Sequence, residues 1–182
     1  MSDRFTGLLS GYLDHDLPDS ERDALQRHLD ACADCRDALA AVAGLYLFWA
    51  GALLALRTVN PPITGVQMQR RVESLLQRGS YRKRYTFVPL ARISPEIQHA
   101  VISAEDGSFY QHHGIDWAEV RKVAEENERM RGASTITQQL VKNLFFTTHR
   151  NPFRKAFEYT LAPMADRILG KRRVLELYLN VV

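Results

Sequence analysis

The sequence predicts a mainly α protein that crosses a membrane once. Three observations carry this: a run of 19 residues without a charge, helix starts marked by a cap residue followed by proline, and a scarcity of period-two alternation. Average composition is that of a globular protein, with 25% charged residues and a net charge of +3. The average hides an asymmetry. Residues 1–37 carry four Arg against nine Asp and Glu, whereas residues 57–182 carry twenty Lys and Arg against twelve Asp and Glu.

The acidic head reads as two short helices over 7–17 and 20–40, separated by Pro18 and Asp19, with Ser20 as the N-cap of the second. The uncharged run, Ala38 to Leu56, would extend roughly 28 Å as a helix, enough for a bilayer core. Arg36 and Arg57 flank it as anchors, while Tyr46 and Trp49 fall mid-span instead of at the interfaces. A buried helix of a soluble core is the competing reading, but such helices seldom lack polar residues for so long. A signal peptide fits less well, since the run starts far from the N-terminus behind an acidic leader. Charge does not orient the span: Arg22, Arg27 and Arg36 on one side balance Arg57, Arg70 and Arg71 on the other.

Asn60-Pro61-Pro62 stops the helix, and a basic connector follows, with strand-like alternation over 85–88. Its Arg70, Arg71, Arg78, Arg82, Lys83 and Arg84 suit anionic lipid or pyrophosphate, and equally suit a solvated linker. Helical text resumes at Ser94-Pro95, with Ile97, Ala100, Val101 and Ala104 as its apolar stripe and Glu105-Asp106 at its end. Further helices are expected near Ser134, at Asn151-Pro152 with a kink at Pro163, and after Gly170.

Four segments hold the chemistry-bearing residues. Residues 105–114 join a carboxylate pair to an aromatic, His and Gly; two acids at a helix C-terminus oppose the dipole and need a reason. Residues 132–146 set Gly and hydroxyl residues at a helix start, with Lys142 two turns on, which suits an anion and also an ordinary capped helix. Arg154 with Glu158, and Arg172 with Glu176, have the spacing of plain helix ion pairs.

Taken together and in this order, the segments resemble the signature of the peptidoglycan glycosyltransferases, glycosyltransferase family 51. E-D-x-x-F-x-x-H-x-G is met by Glu105, Asp106, Phe109, His112 and Gly114, and G-x-S-T-I-T-Q-Q-x-x-K-N runs from Gly132 to Asn143. R-K-x-x-E is met by Arg154, Lys155 and Glu158, and K-x-x-x-x-E-x-Y-L-N by Lys171, Glu176, Tyr178, Leu179 and Asn180. The resemblance covers roughly residues 38–182 and is closer to the monofunctional branch.

The resemblance implies a lysozyme-like α-helical head that polymerises lipid II outside the plasma membrane, with inversion at the donor carbon. It implies Glu105 as the base on the acceptor hydroxyl and Glu158 as the second essential carboxylate. It places Asp106, Phe109, His112, Ser134, Thr135, Gln138, Gln139, Lys142, Arg150, Arg154 and Lys155 at the substrate, the cations facing the leaving pyrophosphate. A divalent cation, Mg2+ or Mn2+, could be held there with Glu158. The partners so implied are lipid II, the growing glycan strand and membrane lipid, with no nucleic acid. The family continues with further helices beyond the fourth motif, so the head is expected to be incomplete at Val182.

His28-x-x-x-Cys32-x-x-Cys35 resembles the zinc-finger segment of anti-sigma factors. That resemblance implies structural Zn2+ on His28, Cys32 and Cys35, with His15 or Asp3 as candidates for a fourth ligand, and a sigma factor or other cytoplasmic regulator as partner of residues 1–37. Free thiols also favour a cytoplasmic head. The expected division is thus 1–37 zinc-finger segment, 38–56 span, 57–92 connector and 93–182 catalytic domain. The runner-up is a non-catalytic membrane regulator or anti-sigma-like sensor with a degenerate transferase domain.

Overall fold

A computed structural model describes residues 17–77, 85–125, 134–146 and 152–182, without the side chains of residues 124, 152–154 and 156. Among the described residues there are α-helices and one 3-10 turn, and no strand. The expected alternation over 85–88 is therefore not a strand, and the expected helix over 7–17 lies almost wholly outside the described residues. The chain divides into two compact units, Met1–Gly51 and Ala52–Val182.

In the first unit, α1 (Asp19–Ala31) and the start of α2 (Ala33–Leu56), whose last turn from Ala52 belongs to the second unit, replace the single helix expected over 20–40. Pro18 occupies the N-cap with no side-chain cap bond, so Ser20 lies inside the first turn instead. The break falls at Cys32, whose backbone is extended at φ −112°. Leu25, Leu29 and Cys35 are buried together, with Leu17, Cys32, Ala38 and Leu39 packed around them. Arg36 closes the corner by donating to the Leu29 carbonyl at 2.8 Å, one of the carbonyls that the end of α1 leaves without a helical partner. From there α2 runs without interruption through the uncharged segment, and it is long and apolar enough to cross a membrane. Leu47 and Phe48 are exposed, as side chains meeting lipid would be.

The second unit contains α3 (Gly65–Leu76), a 3-10 turn (Leu90–Arg92), α4 (Pro95–Glu105), α5 (Trp117–Glu125), α6 (Ile136–Phe145), α7 (Pro152–Leu169) and α8 (Lys171–Val181). Its core lies where α6 meets α7 and α8: Ile136, Leu140, Val141, Ala162, Ala165, Val174 and Leu177 are all inaccessible to solvent. The connector belongs to this unit, because α3 packs against α6, with Gly65 so close to the Phe146 backbone that a Cβ would fall 2.4 Å from its carbonyl oxygen. Helix α7 continues through Pro163.

The α4 stripe is a correction. Ser94 caps the helix through Ile97 N–H and Pro95 opens it, as expected, yet Ile97, Ala100 and Ala104 are exposed and Ile102 is the residue that is buried. A second correction concerns the last helix, where Arg173, not Arg172, is the partner of Glu176 at 2.5 Å. Arg173 also donates to the carbonyls of Leu56 and Val59 and to Asn60 Oδ1, each at 2.9 Å, with its guanidinium over the Phe87 ring. The end of α2 is thereby tied to α8. Burial by itself would raise the Glu176 carboxyl, but the Leu90 N–H and Arg173 outweigh it and hold the carboxyl below its ordinary range. Asn180 completes the seam, donating to Val88 O and accepting from Val88 N–H, which stands in for a strand partner.

Candidate active site

The site forms where the end of α4 meets the start of α6. Asp106 caps the C-terminus of α4 and is buried, which as a lone charge would be costly. It is not alone: His112 Nε2 donates to it at 2.9 Å and the Ile136 N–H at the same distance. The Asp106 carboxylate, which opposes the dipole of α4, thus lies on the positive end of α6, and this accounts for one acid of the pair.

Helix α6 begins near Ser134, as expected, with Thr135 as its N-cap. Thr135 and Gln138 form a reciprocal capping box, and the Thr135 hydroxyl donates to Gly114 O at 2.6 Å. Two amides at the N-terminus of α6, those of Ile136 and Gln138, are thus taken by Asp106 and Thr135, as in an ordinary capped helix. Phe109 and Gln138 have no accessible surface, and Thr135 has 3%. Phe109 and Gln138 position the site from beneath, and Thr135 reaches the groove only at its edge.

The loop over 106–116 is held by the same pieces. Asp116 caps α5, accepting from Ala118 and Glu119 N–H at 3.0 Å, and the Ser108 hydroxyl donates to it as well. That hydroxyl, followed by the Glu119 N–H, holds the Asp116 carboxyl below its usual range. Gly114 adopts φ +87° against the α7 backbone at Ala162 and Pro163. Lys171 pairs with Asp166 at 2.7 Å and sits over the Phe109 ring, so this motif residue also belongs to the framework.

Above this floor lies an open groove of about 320 Å³ lined by residues that include Glu105, Asp106, Ser108, Glu119, Ser134 and Thr135. Glu105 is exposed at its rim and accepts from Gln139 Nε2 at 2.9 Å. Gln139 is itself fixed: the same nitrogen donates to Ser134 O and its Oε1 accepts from the Tyr178 hydroxyl at 3.3 Å. Burial, then the nearby Glu105 and Asp106 carboxylates, push the Tyr178 hydroxyl up to about 12, so it stays a donor. Ser134 Oγ accepts from Lys155 at 3.2 Å, and Lys155 pairs with the buried Glu158 at 3.3 Å. Three residues, Gln139, Ser134 and Lys155, therefore connect the two candidate carboxylates. Lys142 is half-buried on α6 and forms no ion pair among the described residues. Arg150 and the Arg154 side chain lie outside the described residues, so Lys155 is the observed partner of Glu158.

A family model described as Transglycosylase matches residues 71–182. The chain belongs to the transglycosylase family. Among its relatives, the biosynthetic peptidoglycan transglycosylase of Azoarcus sp. (strain BH72) is 42% identical over 154 residues, 80% of this chain and 66% of the relative. Those of Bordetella pertussis and Laribacter hongkongensis are 39% and 36% identical, covering 79% and 80% of this chain and 63% and 66% of their own. The chain thus spans less than two thirds of the length of these relatives. What sequence reasoning did not assign in the transglycosylase unit are Tyr178, Asp116 and Arg173, whose roles depend on partners 39, 8 and 117 residues away.

A zinc-finger family model matches residues 3–36. His28, Cys32 and Cys35 place one ligand atom each within 4.8 Å of one another, and His28 Nε2 lies 3.2 Å from Cys35 Sγ. Tetrahedral Zn2+ bonded at about 2.3 Å to sulfur and 2.0 Å to nitrogen sets such atoms about 3.5 Å apart, so the donors fit a zinc site. The extended backbone at Cys32 is what turns both thiols toward His28. His15 and Asp3 lie outside the described residues.

Replacing Thr135 by Val removes the α6 cap and the bond to Gly114 while keeping the shape of the side chain. Stability should fall by about 2 kcal/mol, as for a lost cap and a buried carbonyl left without its donor. Thr135→Ser should restore most of it. Denaturant titration followed by tryptophan fluorescence measures both, and equal stability of all three proteins would remove this bond from the account.

Proposed function

We propose that the second unit transfers the disaccharide of lipid II to a growing glycan strand, with Glu105 as the general base and polyprenyl pyrophosphate as the leaving group. The observation that carries the reading is Glu105 itself, an exposed carboxylate at the rim of a polar groove, oriented by a glutamine that two further groups hold in place. A base must reach the acceptor hydroxyl from a fixed direction, and this arrangement supplies the direction. Ser134, Lys142 and Lys155 are assigned to the pyrophosphate, and the motif assigns Arg150 and Arg154 to the same charge; Glu158 holds Lys155 in place for it. Asp106, Phe109, His112, Thr135 and Gln138 keep Glu105 and Ser134 in register. A divalent cation would add charge at the pyrophosphate, with Glu158 as its carboxylate ligand. Incubation of the membrane-inserted protein with lipid II tests the reading: glycan strands should accumulate, and their absence from folded protein would sink it.

The head segment, residues 1–37, is assigned to the cytoplasm with Zn2+ on His28, Cys32 and Cys35, and residues 57–182 to the outer side, where the lipid-linked substrate is polymerised. Residues 38–56 are the span, 57–92 the connector and 93–182 the catalytic portion. The head could engage a sigma factor or another cytoplasmic regulator. In intact spheroplasts an impermeant thiol reagent should leave Cys32 and Cys35 unmodified, and after lysis modification should rise several-fold only when a chelator strips the metal. Modification before lysis would reverse the orientation, and chelator-independent modification would remove the zinc.

A further inference from the structure

Helix α3 is amphipathic in the wrong sense for a soluble unit. At 100° per residue, Met68, Val72, Leu75 and Leu76 fall within an arc of about 100°. That arc faces outward: Met68 is 49% exposed, Val72 47%, Leu75 71% and Leu76 79%. The opposite side carries Gln67 and Ser74, which are half-buried. The helix cannot roll to hide its apolar face. Buried Thr64 locks its first turn in a capping box with Gln67, and Gly65 is pressed against the Phe146 backbone.

Its place in the chain says what covers that face. Only eight residues separate Leu56, the end of α2, from Gly65. Arg173 holds both the Leu56 and Val59 carbonyls, so this short segment stays against the unit and cannot extend away from it. Val59, in the same segment, is also 57% exposed. Arg57 and Arg71 are exposed, and Arg71 borders the apolar arc beside Met68 and Leu75.

We propose that α3 lies in the interfacial layer of the bilayer that α2 crosses, with Met68, Val72, Leu75 and Leu76 among the acyl chains and Arg57 and Arg71 against anionic headgroups. An apolar arc bordered by arginine is the pattern of a helix lying in that layer, at a depth of about 5–10 Å. A second protein is the weaker occupant, since four side chains fall well short of the ~800 Å² per partner that a stable interface needs. The inference rests on α2 being a membrane span and is independent of the chemistry at Glu105.

The test uses the full chain, in a Cys32→Ala and Cys35→Ala background, reconstituted into vesicles of phosphatidylglycerol and phosphatidylethanolamine. An environment-sensitive fluorophore is placed in turn at Leu76→Cys, at Arg70→Cys on the other side of α3, and at Leu47→Cys inside the span. Lipids carrying a nitroxide near the headgroup end of the acyl chain should quench the Leu76 probe at least twofold more than the Arg70 probe, and aqueous iodide should show the opposite order. Quenching at Leu47 with equal responses at Leu76 and Arg70 overturns the inference alone. No lipid quenching at Leu47 overturns the span, and the inference with it. A Leu76 signal that depends on protein-to-lipid ratio and not on the nitroxide shows a second copy on this face, which also overturns it.

Discussion

Glu105→Gln in the membrane-inserted protein should lower lipid II polymerisation by about 10²-fold or more, the usual scale for a positioned general base. The substitution keeps the size of the side chain, and Gln139 can still donate to the remaining amide oxygen, so the groove should keep its form. Binding of the donor should survive, because Ser134, Lys142 and Lys155, the groups proposed to meet the pyrophosphate, are untouched. The separation is the informative part. Loss of turnover with retained donor affinity marks an interaction made at the reacting hydroxyl, whereas loss of both would mark a disturbed groove. A near wild-type rate from the folded variant would remove Glu105 as the base.

Gly114→Ala should be strongly destabilising. A non-glycine residue at φ +87° costs about 1–2 kcal/mol by itself. The added Cβ would also stand 2.5 Å from Ala162 O, 2.6 Å from its carbon and 2.8 Å from Pro163 N, which are backbone atoms of α7 and cannot swing away. The sum should reach at least ~3 kcal/mol, lowering Tm by about 6–12 °C for a protein of this size. Gly170→Ala is the matched comparison, since its φ is +74° but no atom lies within 4 Å of the new Cβ. It should cost only the conformational part. Calorimetry on the two variants separates strain from collision, and equal Tm values would show that the approach of the loop to α7 does not matter.

The parts of this protein legible in its sequence are those decided within a turn or two of chain. Ser94-Pro95 announces α4 because both the cap and its target amide lie within three residues. His28, Cys32 and Cys35 announce a metal-binding corner for the same reason. Illegible were the choices made by distant partners. The bond from Thr135 to the Gly114 carbonyl, 21 residues earlier, is one of them, although the capping box with Gln138 that marks Thr135 as the cap is local. Arg172 and Arg173 are neighbouring cations, and the carbonyls at the end of α2 select Arg173. The stripe on α4 misleads for a related reason: periodicity shows that one face is apolar without showing what lies against it. The same limit applies to the motif residues. The pattern names Phe109, Gln138 and Glu105 alike, and burial alone separates the two beneath the floor from the one at the rim.

Arg173 also joins two distant parts of the unit. One end of the connection is the Leu56 carbonyl, the last residue of the helix long and apolar enough to cross a membrane. The other is α8 itself, where five residues onward Tyr178 grips Gln139, and Gln139 grips Glu105. An unbroken series of contacts thus runs from the last residue of α2 through one guanidinium and one helix to the side chain that holds Glu105.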